Sequence, residues 1–451
     1  MLQLVNWMVG VKMKKKSYFG FMFLAIILIP IASVAALLRE VSALVIYIEI
    51  FIILLLMGRN LTKMCTAKQR QVYFILFLIR MGLLLYQSTY GNLPMSGGDS
   101  AVFHENAMNI LNYSGGDILK IFNPPSIMVN RGDYFERLVA LIYYLCGART
   151  QYIYYFSYIA SELVFYYINK TAKLLSGDSY IAAKTAIFFY IWPLEIIYSV
   201  DYLREMTMQC VFAMSLYSFL LYLVKKKNGR IIPALILAYI CVGIHSGMVG
   251  ILAAYGFVII FYNRRIQRME FSSTKMFLVL VIVMGFMVSP LWNEVMGRFS
   301  QIDSMADLGN RVKSNTVMAN TDYISSPTSN IGIIAQTPIR LFYFMVSPLF
   351  WQVRSVGTII AMILDGIPRV YLVYSVYKNW RRREQLSNKN RAVFIGILMI
   401  VLCSHLIFSW GTNNYGTAMR HRTKVFPAEI ILFSVFKVQF MKEKENERIQ
   451  I

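Results

Sequence analysis

The run Val72–Tyr90, VYFILFLIRMGLLLYQSTY, breaks at Gly91 into the polar stretch GNLPMSGGDSAVFHENAMNILNYSGGDILKIFNPPSIMVNRGDYFE, Gly91–Glu136. The first piece is long and apolar enough for a helix across a membrane, and the second is too polar to follow it into lipid. Composition repeats this contrast: 57% of residues are apolar and only 15% charged, with a mean hydropathy of +0.53. A polytopic membrane protein fits those values, and a soluble chain of several domains does not. The apolar runs, about 16–24 residues each, suit helices and exceed barrel strands. The expected fold class is therefore all-α, with residues 1–451 forming a single integral membrane domain.

Working outward from Gly91, runs before the loop lie at about 18–38, 43–58 and 72–90. Runs after it lie at about 152–170, 182–200, 206–224, 231–244, 248–262, 276–291, 356–377, 392–410 and 425–440, giving about twelve transmembrane helices. The pieces Leu138–Cys146 and IRLFYFMVSPLFW, from Ile339 to Trp351, read as juxtamembrane helices. Basic clusters fall at Lys12–Lys16, Arg59–Arg70, Lys225–Arg230, Arg264–Arg268 and Lys378–Arg383. With the N-terminus inside, each of these clusters falls on the cytoplasmic side, and the C-terminus does too. Two long external loops, about 91–136 and 292–337, and a short external turn at about 411–424 then gather on the opposite face. The expected location is a plasma or inner membrane, with the active face toward the periplasm or exterior. The basic start followed by an apolar run without a small-residue cleavage site reads as a retained first span.

The net charge of +22 is explained by cytoplasmic Lys and Arg and needs no nucleic acid. Five scattered cysteines without CxxC spacing indicate neither a disulfide framework nor a zinc site. No cofactor is called for, since no motif supports a divalent metal.

Chemistry-bearing residues concentrate in the outer segments. Asp99, in SGGDSAVFHENA, opens an amphipathic pattern through Val102, Phe103, Ala107, Ile110 and Leu111. It reads either as a helix cap or as a catalytic carboxylate. His104 lies on the same helix. WPLEIIYSVDYLRE, Trp192–Glu205, places Arg204 and Glu205 at an outer helix end. They read as a phosphate-binding guanidinium with a second carboxylate, or as an interfacial snorkelling pair. The second loop adds Arg298 and Arg311. WGTNNYGTAMRHRTKVFP, Trp410–Pro427, sets Arg420, His421, Arg422 and Lys424 on the outer face against the usual charge bias, which calls for an anionic partner. His245, in GIHSGM, sits at a tight hairpin turn. Within spans, Asp365 and Arg369 are four apart on one helix face and able to satisfy each other.

Three of these stretches, taken in order, resemble the integral-membrane GT-C glycosyltransferases, such as protein O-mannosyltransferases and lipid A aminoarabinose transferases. They are the acidic residue with its following helix (Asp99, His104, Ala107), YFERLVALIYYLCG (Tyr134–Gly147), and Pro193, Tyr198, Ser199, Arg204 and Glu205. The likeness spans about a third of the chain, from Tyr90 to about Gly250; the acidic pair of that family is here Asp99-Ser100. The His245 turn and the Arg420–Arg422 turn also resemble bacterial polysaccharide repeat-unit polymerases.

The resemblance implies transfer of a sugar from a polyprenyl-(pyro)phosphate donor to a saccharide acceptor, in contact with membrane lipid. Asp99 and Glu205 are then catalytic. His104, Arg204, His245, Arg298, Arg311, Arg420, His421 and Arg422 bind the lipid phosphate or sugar. A repeat-unit polymerase is the alternative. A twelve-span transporter is disfavoured by the long external loops and the absence of an internal repeat.

Overall fold

The computed structural model describes residues 41–91, 93, 99–125, 134–288, 330–412 and 414–436. The expected first span, the loop cations Arg298 and Arg311, and the charged tail lie outside them. The described residues are almost wholly helical, with one two-residue antiparallel pair, Tyr262–Asn263 with Arg268–Met269. Five helices are long and apolar enough to cross a membrane: Leu44–Leu61, Ala67–Tyr90, Arg204–Lys225, Val356–Arg381 and Asn388–Trp410.

Two compact units divide the chain. One holds residues up to Lys173 together with Asp178–Cys210; the other holds Leu174–Gly177 and Val211 onward. The first unit contains α1 (Val41–Leu61), α2 (Ala67–Tyr90), α3 (Asp99–Ser114), α4 (Ile118–Phe122), α5 (Tyr134–Cys146), most of α6 (Gln151–Ser176), α7 (Ser179–Tyr190), α8 (Pro193–Tyr198) and the start of α9 (Arg204–Lys225).

Local chemistry sets the ends of α2. The Thr66 hydroxyl accepts the Gln69 N–H at 3.1 Å, and Gln69 Oε1 accepts the Thr66 N–H at 3.3 Å, a closed capping box. Gly91, at φ 71°, ends the helix in the left-handed conformation that glycine adopts without strain, and this is where the polar loop begins. The amphipathic reading of α3 holds on one side: Phe103, Ala107 and Ile110 are buried, whereas Val102 is exposed. That buried face packs on α5, which buries Phe135, Val139, Ala140 and Tyr143 and leaves Leu145 exposed.

The core of this unit holds charge. Glu162 on α6 accepts from Asn60 Nδ2 at 2.8 Å, from the Tyr73 hydroxyl at 2.6 Å and from the Tyr190 hydroxyl. Arg80 on α2 donates to Ser161 Oγ at 2.8 Å and to the Tyr190 carbonyl at 2.6 Å. Both charged groups are buried, so their hydrogen bonds offset a desolvation that would otherwise cost several kcal/mol.

The expected continuous span 182–200 is two helices. α7 stops at Tyr190 and α8 starts at Pro193, because proline lacks an N–H and its ring clashes with the preceding turn.

The second unit contains α10 (Ile231–Ile244), α11 (Val249–Phe261), α12 (Ser273–Val288), α13 (Asn330–Val346), α14 (Val356–Ala361), α15 (Ile367–Arg381), α16 (Asn388–Trp410), α17 (Tyr415–Thr423) and α18 (Phe426–Phe436). The hairpin turning at His245 is present, but its arms have 14 and 13 residues. At ~1.5 Å per residue each reaches about 20 Å, less than the ~30 Å of a hydrocarbon core. A wide helical turn, Met362–Gly366, joins α14 to α15 and carries Asp365; such turns are often found at functional sites.

α11 and α16 cross closely at Gly250. A Cβ built there would lie 2.7 Å from the Ser404 Cα and 2.8 Å from the Cys403 carbonyl, a backbone approach that only a glycine permits. Gly250→Ala should therefore cost about 1–3 kcal/mol, read as a lower melting temperature of the purified protein. An unchanged melting temperature would show that the two helices separate freely.

Candidate functional site

In the first unit α3 carries Asp99 in its exposed first turn. One turn further on, Phe103 is buried, and the Arg204 guanidinium carbon lies 5.2 Å from the centre of its ring. The acidic loop and the segment ending in Arg204-Glu205 are thus neighbours in space, held by an arginine on an aromatic face.

His104 Nδ1 is 2.9 Å from the Tyr143 hydroxyl, which is 3.3 Å from the Tyr202 hydroxyl. Burial pushes the Tyr143 phenol up to about 12 and raises that of Tyr202 also, so both keep their protons at neutral pH. The chain His104–Tyr143–Tyr202 ties α3, α5 and the turn before α9 together.

The same unit holds several amide-bonded carboxylates. Asn106 Nδ2 donates to Glu136 Oε1 at 2.7 Å, Gln87 Nε2 to Asp201 Oδ1 at 3.3 Å, and Gln209 Nε2 to Glu195 Oε2 at 2.7 Å. Glu205 is fully buried, as are Glu136, Glu195 and Asp201. Exposure separates the two proposed catalytic carboxylates: Asp99 meets solvent and Glu205 does not. Sequence reading did not single out Asp201, Tyr202, Tyr143 or Gln87. The first two lie inside the quoted WPLEIIYSVDYLRE, but nothing in their spacing shows that they pair with α2 and α5.

In the second unit His245 and His421 meet. The His245 and His421 rings are 4.9 Å apart and nearly perpendicular, and both lie against Phe408, at 5.1 and 4.9 Å. Lys424 Nζ is 5.2 Å from the same Phe408 ring. His245 Nδ1 accepts the Gly247 N–H at 3.1 Å, which assigns the ring proton of neutral His245 to Nε2. His421 Nδ1 is 3.1 Å from Thr412 Oγ1. Arg420 and His421 are half-buried, whereas Arg422 and Lys424 are fully buried.

Arg422 differs from the phosphate ligand expected of it. Its guanidinium pairs with Asp365 and donates to the carbonyls of Phe344, at 3.1 Å, and Ser347. Asp365 Oδ1 also lies 3.4 Å from Arg369 Nε, Arg369 pairs with Glu429, and His405 Nε2 is 3.0 Å from Glu429 Oε1. The anticipated Asp365–Arg369 pair is thus the middle of a longer buried chain of charges. Among the described residues, no group of three or more His, Cys, Asp or Glu side chains is placed to hold a metal ion.

Comparison with family models, with curated proteins and with solved structures gives no match for this chain.

Proposed function

We propose that this protein is a multi-pass membrane glycosyltransferase with about twelve spans, both termini cytoplasmic and its active face toward the periplasm or exterior. Its donor is a sugar on a polyprenyl (pyro)phosphate, its acceptor a saccharide hydroxyl, and its product a cell-surface polysaccharide or glycolipid. The observation that carries the reading is the stacking of Arg204 on Phe103, one turn from Asp99. It brings a carboxylate-bearing helix and a guanidinium together in the order seen in the GT-C likeness.

In the proposed step the acceptor oxygen bonds to the anomeric carbon as the bond from that carbon to the phosphate oxygen breaks. Asp99 takes the acceptor proton, and the departing phosphate keeps the electron pair, its charge met by Arg204. Glu205 orients Arg204 from a buried position.

A repeat-unit polymerase is a second reading, favoured by the meeting of His245 and His421 on Phe408. In it, Arg420 and His421 meet the pyrophosphate of a saccharide-bearing lipid. Purified protein given single-sugar and repeat-unit lipid donors separates the two. Addition of one sugar supports the transferase, long polymer from repeat units supports the polymerase, and no transfer from either donor removes both.

A further inference from the structure

Away from these clusters, the C-terminal end of α1 and the last third of α6 bring cations to one ring. The Arg59 guanidinium carbon lies 3.7 Å from the centre of the Tyr166 ring and Arg59 donates to the Tyr166 hydroxyl. Lys170 Nζ is 4.8 Å from the same ring. A helix C-terminus favours a nearby cation by about 0.3–1 kcal/mol through its dipole. That accounts for Arg59 in the last turn of α1 and Lys173 in the last turn of α6, but not for Lys170, a turn further into α6, meeting Arg59 on a single aromatic face. Lys63, one turn beyond Arg59, and Lys173, one turn beyond Lys170, are exposed. Glu162, about two turns before Lys170, spends both carboxylate oxygens on Asn60, Tyr73 and Tyr190. This end of the unit therefore presents a concentrated positive charge.

An apolar path leads to it. Ile48, Ile52 and Arg59 fall at i, i+4 and i+11 on α1, which places them on one helix face. Ile48 is 46% and Ile52 36% exposed, and Arg59 is exposed at the end of the stripe. From Ile48 to Arg59 the helix rises about 16 Å, close to half of a ~30 Å hydrocarbon core. An apolar stripe one leaflet long that ends at paired cations has the shape and charge of an anionic lipid's partner.

We propose that the ends of α1 and α6 bind the phosphate of an anionic diacyl phospholipid on Arg59 and Lys170, with an acyl chain along Ile48 and Ile52. The site needs no assumption about which leaflet it faces, and it stands apart from the proposed transferase chemistry.

Full-length protein in detergent is titrated with phosphatidylglycerol, with phosphatidylcholine and with inorganic phosphate, and binding is read by native mass spectrometry and thermal shift. Phosphatidylglycerol should bind more tightly than phosphatidylcholine. Arg59→Gln with Lys170→Gln should weaken phosphatidylglycerol by about 25-fold, roughly fivefold for each cation removed, and leave phosphatidylcholine unchanged. Equal binding of the two lipids by the wild type, or unchanged phosphatidylglycerol affinity in the double variant, overturns the site. Protection by inorganic phosphate at the same concentration assigns the cations to a soluble anion and overturns the lipid. Should that variant fail to fold, Lys63→Gln with Lys173→Gln, at exposed positions, tests the same field. A several-fold loss of phosphatidylglycerol affinity supports the proposal and an unchanged affinity overturns it.

Discussion

Arg422→Met is expected to lower the unfolding free energy by about 3–5 kcal/mol, the usual cost of leaving one partner of a buried ion pair without the other. Asp365, Arg369, Arg422, His405 and Glu429 are all buried, and the formal charges of the two acids and the two arginines cancel. Deleting the guanidinium removes one cation paired with Asp365 and leaves Arg369 to balance both Asp365 and Glu429. It also strands the carbonyls of Phe344 and Ser347 that Arg422 now satisfies. Adding Asp365→Asn to Arg422→Met removes the negative charge left in excess and should recover part of the loss, so the two substitutions are non-additive. Thermal unfolding of the purified variants measures both. A melting temperature equal to wild type in Arg422→Met would mean that the pair holds nothing. Arg420→Ala, at a half-buried position two residues away, should leave melting almost unchanged and instead weaken donor binding if the polymerase reading is right.

This network also marks how far the sequence was legible. The Asp365–Arg369 pair is visible because four residues make one helical turn. Its outer partners are not: Glu429 and Arg422 stand 60 and 57 positions from the residues they pair with, and one sequence carries no record of such distances. Long apolar runs told most of α1, α2, α9 and α16, since lipid leaves a helix as the simplest way to satisfy its backbone. Apolar length failed where polar packing or proline intervened. The run expected at 152–170 is a helix but continues to Ser176 through a polar end, and the run through Pro193 is two helices. In the first candidate site, Asp99, His104 and Arg204 could be named in advance because they are charged or titratable in a polar stretch. Tyr143 and Tyr202, which link their elements, look from sequence like any other aromatic residue of a membrane protein.

Asp99→Asn should reduce product formation by at least about 100-fold, the lower end of what a positioned general base contributes, with little change in melting. The asparagine separates two roles for this position. As a helix-starting residue, Asn serves about as well as Asp, and what is lost with the charge at a helix N-terminus is about 0.3–1 kcal/mol. As a base, Asn has no lone pair basic enough to take the acceptor proton. A variant that melts like wild type and makes no product therefore assigns catalysis to the carboxylate, whereas full activity returns Asp99 to starting α3. Glu205→Gln gives the contrast. Glu205 is fully buried and is proposed to act through Arg204, so its loss should appear mainly as weaker donor binding, a raised KM with a smaller change in kcat. Arg204→Lys should show the same pattern, because lysine keeps the charge but not the planar fork that grips a phosphate at two points. If Glu205→Gln instead abolishes turnover at unchanged KM while Asp99→Asn is active, the buried carboxylate is the base and the exposed one a helix start.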